Sequence, residues 1–175
     1  KSDVPQWFNE GLAEYYQTFQ MEGDIKAKLG LPQSNHLLLL QQNKLIPLNT
    51  FFNIGNSALT QTGGHSRSIF YAQAWALIHY FIANKKSEEM NKFLTLSMKN
   101  VAEEKAFQDA FQMSYAQMEN QLRQYVAKGT YLYTNVTFAN KLSFDLEMES
   151  KAMTEADTNA YLGDLLYHTN RADDA

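Results

Sequence analysis

Ile69-Phe70-Tyr71-Ala72-Gln73-Ala74-Trp75-Ala76-Leu77-Ile78-His79-Tyr80-Phe81-Ile82-Ala83 is the most apolar stretch of the chain. It is shorter than the roughly 20 apolar residues a membrane-crossing helix needs, and Gln73 and His79 interrupt it. Its apolar positions cover every side of a 3.6-residue period. The stretch therefore reads as a helix from Ile69 to about Asn84, buried all round, with Ser66 or Ser68 as its cap. A helix of this kind needs others to cover it, and the sequence on both sides supplies them.

Toward the C-terminus the periodicity predicts helices over 87–99, 103–112 and 114–127. The last carries Tyr115, Met118, Leu122, Tyr125 and Val126 on one stripe, and Gly129 stops it. Toward the N-terminus, Asp3 and Pro5 open a helix from Gln6 to about Gln20 that buries Trp7, Phe8, Leu12, Tyr15, Tyr16 and Phe19. Met21 to Leu31 reads as a short hairpin or an irregular loop. After Pro32 come a short helix at His36–Gln42 and a brief helical turn through Phe51 and Phe52, and Gly63-Gly64 closes this section. Tyr131 to Phe138 and Leu142 to Met148 alternate with a period of two around Ala139-Asn140-Lys141, which predicts a β-hairpin. Thr154 precedes a final helix that ends near Asn170. The expected fold class is mainly α with a small β-hairpin, a domain over 1–150 and a separate segment over 151–175.

Composition narrows the function classes. With 175 residues, ten Tyr and eleven Phe, the chain has ample apolar surface to fold around a core. The net charge is −4 and the basic residues are scattered, which offers no electrostatic footprint for nucleic acid. Residues 1–140 hold 12 basic and 11 acidic side chains, whereas 141–175 hold 3 and 8, consistent with a second unit near the C-terminal end. Cysteine is absent, which excludes disulfides, thiolate metal sites and cysteine nucleophiles. No signal-peptide pattern or start Met stands at Lys1, so the N-terminus reads as a cut inside a longer protein. Asn135-Val136-Thr137 matches a glycosylation sequon, a pattern short enough to arise by chance.

Two stretches carry more than folding information. Pro5-Gln6-Trp7-Phe8-Asn9-Glu10-Gly11-Leu12-Ala13-Glu14-Tyr15 resembles the P-x-W-[LF]-x-E-G-x-A-E-[YF] signature of gluzincin metallopeptidases, in particular the peptidase MA-like family. The resemblance implies that Glu10 is the third zinc ligand of the intact protein. A hard carboxylate completes a two-histidine set and leaves the fourth position open for water. Glu14, one turn later on the same face, would then hydrogen-bond a zinc-bound imidazole from behind, and Gly11 would admit a close neighbouring helix. Ser68 to Phe81 is similar to a later helix of the same family. Its opening tyrosine, here Tyr71, is implied to donate to the developing oxyanion.

The H-E-x-x-H motif of that family is missing. His36, His65, His79 and His168 are followed by Leu, Ser, Tyr and Thr, so two zinc ligands and the glutamate base are not in this chain. Truncation explains the gap more simply than loss, and the fragment alone is expected to be inactive and to hold no zinc. His65, beside Gly64, is a possible substrate contact or a solvent histidine. His79 reads as a buried helix residue, and His36 and His168 have no evident partner.

Ala160-Tyr161-Leu162-Gly163-Asp164-Leu165-Leu166, followed by Asn170-Arg171-Ala172-Asp173-Asp174-Ala175, resembles the opening of a tetratricopeptide repeat, which implies a protein partner for the parent's tail. The expectation is a zinc peptidase fragment acting on peptides or proteins, with no membrane span and an exported bacterial origin favoured. The alternatives are a peptidase-like scaffold without catalysis, with the repeat-like tail as its interaction module, and a binding domain whose aromatic helices form an apolar groove.

Overall fold

The computed structural model of the chain describes residues 4–55, 64–142 and 152–168. Contacts divide the chain into two units, Lys1–Leu142 and Ser143–Ala175. The first contains seven of the eight helices among the described residues: α1 (Gln6–Tyr16), α2 (Ser34–Gln42), α3 (Leu48–Phe51), α4 (Gly64–Ala83), α5 (Ser87–Met98), α6 (Glu103–Phe111) and α7 (Tyr115–Ala127). A three-stranded antiparallel sheet of β1 (Gln20–Glu22), β2 (Lys26–Leu29) and β3 (Thr134–Thr137) completes it. The fold is mainly α, as its hydrophobic periods require.

The apolar stretch is the centre of the core. Phe70 and every residue from Ala72 to Phe81 on α4 are buried. A helix that is apolar on all sides has no face to give to water and must be covered all round. Its start differs from expectation. The helix begins at Gly64, so Ser66 and Ser68 lie inside its first turns rather than capping it, and Ser68 Oγ donates back to the Gly64 carbonyl at 2.9 Å. It ends in a Schellman turn, with Lys86 N–H bonding Phe81 O, Lys85 N–H bonding Ile82 O and Lys85 at φ 56°.

Helix α1 buries Trp7, Gly11 and Tyr15, one residue per turn. It stops four residues sooner than the aromatic spacing suggested, because the chain turns away to form the hairpin. Thr18 Oγ1 accepts the Gly30 and Leu31 N–H groups, both at 3.0 Å. Asp3, expected in the cap, lies outside the described residues. At Gly11, an ideal Cβ would stand 2.5 Å from Ala74 O and 2.8 Å from Ile78 Cγ1, so α1 and α4 meet at a distance that only glycine permits. Trp7 joins an aromatic cluster from α3, α5 and α6. Its ring centroid is 5.2 Å from Phe52 and 5.9 Å from Phe93, and Phe93 lies 5.4 Å from Phe107.

The helices after α4 follow their predicted spans to within about a residue at each end, α7 with a Ser114–Gln117 capping box and Gly129 at φ 72° beyond it. The predicted hairpin over Tyr131 to Met148 takes a different form. Its first strand, β3, pairs with β2 instead of its own neighbour, with Ala27 opposite Val136 and Lys26 opposite Thr137. Phe138 N–H continues the ladder to Ile25 O at 2.8 Å, and Leu142 has no strand conformation. The rest of the expected second strand, 143–148, lies outside the described residues.

A buried hydrogen-bond chain ties this sheet to α4. His79 Nε2 donates to Gly30 O at 2.8 Å, and its Nδ1 accepts from the Tyr125 hydroxyl at 2.6 Å. Gly30 has φ 73°, and the Tyr15 ring fills the space where a Cβ would stand. Burial lowers the affinity of His79 for a proton below the usual value of 6.5. The unfolded chain therefore binds the proton more readily, and unfolding free energy falls as pH drops through and below about 6.5. Glu103, whose carboxyl burial pushes up, acts with the opposite sign. Urea unfolding from pH 7.5 to 5.0 should show the decline in the native protein and its loss in His79→Gln, which leaves Glu103 in place.

In the second unit, α8 (Glu155–His168) starts at Thr154, whose Oγ1 accepts from Asp157 N–H at 3.2 Å. No described residue of α8 is buried, and Tyr161, Leu162 and Tyr167 are exposed. Residues 169–175, where the repeat-like pattern continues, lie outside the described residues. Among the described residues no helix is long and apolar enough to cross a membrane.

Candidate functional site

Glu10 and Glu14 sit on one flank of α1, beside its buried stripe of Trp7, Gly11 and Tyr15. Both are half-buried. Glu10 Oε1 accepts from Gln6 Nε2 at 2.6 Å, a bond one turn long that fixes the carboxylate along the helix. Its other oxygen has no hydrogen-bond partner among the described residues.

Glu14 is held by its surroundings far more firmly. Its Oε2 accepts from His36 Nε2 at 2.8 Å, from Gln33 Nε2 at 3.3 Å and from Gln17 Nε2. Gln33 Nε2 also donates to the Glu14 backbone carbonyl at 2.7 Å. His36, which had no evident partner in the sequence, thus has one: α2 brings it to the end of α1. The pair is partly shielded, with 18% of the His36 side chain and 21% of the Glu14 side chain exposed. His36 leans on Trp75 of α4, with ring centroids 5.9 Å apart, and the Trp75 Nε1–H is buried with no acceptor among the described residues.

Tyr71 lies on α4, one turn before Ala74 and two before Ile78, the residues that meet Gly11 of α1. It is half-buried, edge-on to Phe70 at 5.9 Å, and no hydrogen bond joins it to Glu10 or Glu14. The structure thus gathers Glu10, Glu14 and His36 around α1 and places Tyr71 on the facing stripe of α4. His65 stands apart, exposed in the first turn of α4 with Nε2 3.2 Å from Asn43 Oδ1. His79 is committed to the core. Among the described residues no three of His, Asp and Glu converge as a metal-holding group.

A groove of about 560 Å³ lies elsewhere, between α2 and α7, lined by Leu40, Leu45, Arg123 and Val126 among others. None of Glu10, Glu14 or Tyr71 lines it. The residues that sequence reading passed over are Gln33 and His36. Their signal was faint: two polar side chains three residues apart at the entry to a Leu-rich helix, a spacing that puts them on one face.

No curated protein and no solved structure matches the chain. Residues 1–102, more than half of the chain and the part that holds α1 through α5, match the family described as protein of unknown function DUF1570, and the chain belongs to that family.

Proposed function

We infer that the chain is part of a zinc-dependent peptidase whose Glu10 carboxylate is one of the metal ligands. The observation that carries this is the placement of Glu10: half-buried, fixed by Gln6 through one oxygen, with the other oxygen without a hydrogen-bond partner among the described residues, on the flank of α1 beside the close α1–α4 contact. A hard carboxylate with one oxygen unengaged among the described residues suits a divalent cation, and two histidines from outside this chain would complete the set. Bound there, zinc supplies a polarised carbonyl and an acidified water at neutral pH. The protein's own part is to hold Glu10 in place, to carry the Glu14–His36 pair one turn along, and to present Tyr71 as an O–H donor from α4. The substrates are peptides or proteins, and the repeat-like α8 region serves as a contact for a protein partner.

Zinc content tests this on the chain extended upstream from its gene, alongside the same protein with Glu10→Ala. The expected result is one zinc per chain, lost in the variant while the helical content stays. No zinc in either protein would favour the second reading, a non-catalytic scaffold that retains the fold. The exposed Tyr161, Leu162 and Tyr167 on α8 favour an interaction role for the tail under either reading.

A further inference from the structure

We propose that the groove between α2 and α7 holds the C-terminal residue of a peptide, one with an apolar side chain and a free carboxylate. The site is separate from Glu10, Glu14 and Tyr71, and the proposal stands with or without the peptidase reading. Three chemical features meet in the groove. Its floor is apolar, with Leu40 and Leu45 on the α2 side and Val126 on the α7 side. Its charge is positive: among the described residues that line it Arg123 alone is ionisable, and 58% of that side chain is exposed. The third feature is an acceptor. Gln41 Nε2 bridges the two helices by donating to Val126 O at 3.0 Å, and Gln41 Oε1 has no hydrogen-bond partner among the described residues.

The spacing of these groups suits a single residue. Arg123 and Val126 are three positions apart on one face of α7, so the guanidinium starts about 4.5 Å along the axis from the turn that Gln41 grips. A terminal residue carries its N–H and its carboxylate within about 2.5 Å of each other. It can offer the first to Gln41 Oε1 and the second to Arg123, with its side chain on the floor. The volume, about 560 Å³, is that of a small-ligand site.

A carboxylate is the natural partner of Arg123, because a planar guanidinium binds it through two parallel N–H bonds. The acid beside it does not use up that capacity. Glu119 Oε2 stands 3.9 Å from Arg123 Nη2, beyond hydrogen-bond length, and Glu119 Oε1 accepts the Leu48 N–H at 2.8 Å. The surrounding chain reinforces the sign. No Asp or Glu stands between Asp24 and Glu88, the stretch that holds α2, or between Glu119 and Asp145, the stretch that holds the groove side of α7. The same two stretches carry nine Lys and Arg, so both walls come from acid-free chain and favour an anion. Gln41 selects among anions: a fatty acid has no N–H to give to Oε1, and an internal peptide segment has no charge to give to Arg123.

An arginine that only complements the C-terminal end of α7 would make the same contacts, so the test asks for the ligand. The intact protein is titrated by fluorescence polarisation with an N-terminally labelled peptide of three glycines and a terminal leucine, and with the same peptide ending in a carboxamide. The acid is expected to bind, and amidation or Arg123→Gln should each weaken it about 10- to 100-fold. Backbone amide resonances of residues 40–45 and 123–127 should shift with the acid. Equal affinity for acid and amide overturns the proposal, as does binding that ignores Arg123→Gln or shifts resonances elsewhere. Laurate that binds these residues as tightly as the peptide overturns it in favour of an acyl anion, and no binding at millimolar peptide overturns it outright. The comparison of acid with amide needs no variant, so it decides even if Arg123→Gln fails to fold. Zinc content enters neither arm, so this proposal and the peptidase reading fail separately.

Discussion

Replacing Gly11 by alanine should lower the stability of the first unit by about 2 kcal/mol, a fall in melting temperature of roughly 5 °C or more. The sign is the informative part. In a helix interior with open space, glycine to alanine stabilises by up to about 1 kcal/mol, because alanine loses less backbone entropy on folding. Here the new methyl would lie 2.5 Å from the Ala74 carbonyl oxygen and 2.8 Å from its carbon. Both are main-chain atoms of the central helix and cannot rotate away. The helices must move apart, and Trp7 and Tyr15, one turn to either side, lose contact with the core as they do. Thermal unfolding followed by circular dichroism measures the effect. A stabilised Gly11→Ala would mean that α1 and α4 are farther apart than described.

Gln73→Leu should cost more, about 2–5 kcal/mol, although leucine is the more apolar residue and the site is fully buried. The Gln73 amide pairs with both main-chain groups of Ile46: Oε1 accepts its N–H at 2.7 Å and Nε2 donates to its C=O at 2.8 Å. Leucine would leave both groups buried without partners, each costing about 1–3 kcal/mol, and burial of its own side chain recovers only part of this. Gln124→Leu, at an exposed position of α7, is the control and should stay within about 0.5 kcal/mol of the native protein. Chemical unfolding of the two variants side by side gives the comparison. Equal, small effects would show that the segment between α2 and α3 relaxes to rehydrate Ile46.

What the sequence made legible follows from the range of the forces involved. The spans of α5, α6 and α7 are set by local period and capping, with Ser114 and Gly129 at the two ends of α7 and the positive-φ residues Asn100 and Gln112 just beyond α5 and α6. Gly11 was readable too, through the motif resemblance that implied a close neighbouring helix there. The start of α4 was not, because nothing in Ser66 or Ser68 reveals that a serine hydroxyl will turn back to a carbonyl inside the helix. The partner of β3 was likewise hidden. Alternation reveals that a strand has two faces but not which distant strand will accept it. The same limit applies to the site: Glu10 and Glu14 stand out by their local motif, whereas the bond from His36 to Glu14 joins two helices 22 residues apart in sequence and leaves no local trace.

The family match ends at residue 102, yet what holds the matched part together does not. Phe93 of α5 packs edge-on against Phe107 and Phe111 of α6, and His79 depends on Tyr125 of α7. Cutting the chain at 102 would uncover these rings, and such a piece should be insoluble or partly folded.

The sheet bears on the order in which the molecule assembles. The β1–β2 ladder closes a loop of a few residues, whereas β3 reaches β2 only after the whole helical stretch has been traversed, with Leu29 opposite Thr134. Closing so long a loop in an open chain costs entropy that four short rungs cannot repay, so β3 gains its place only once the helices have shortened the path. The last strand to dock should be the first to leave, and the amides of Thr134 to Thr137 should exchange with solvent well before those of the central helix.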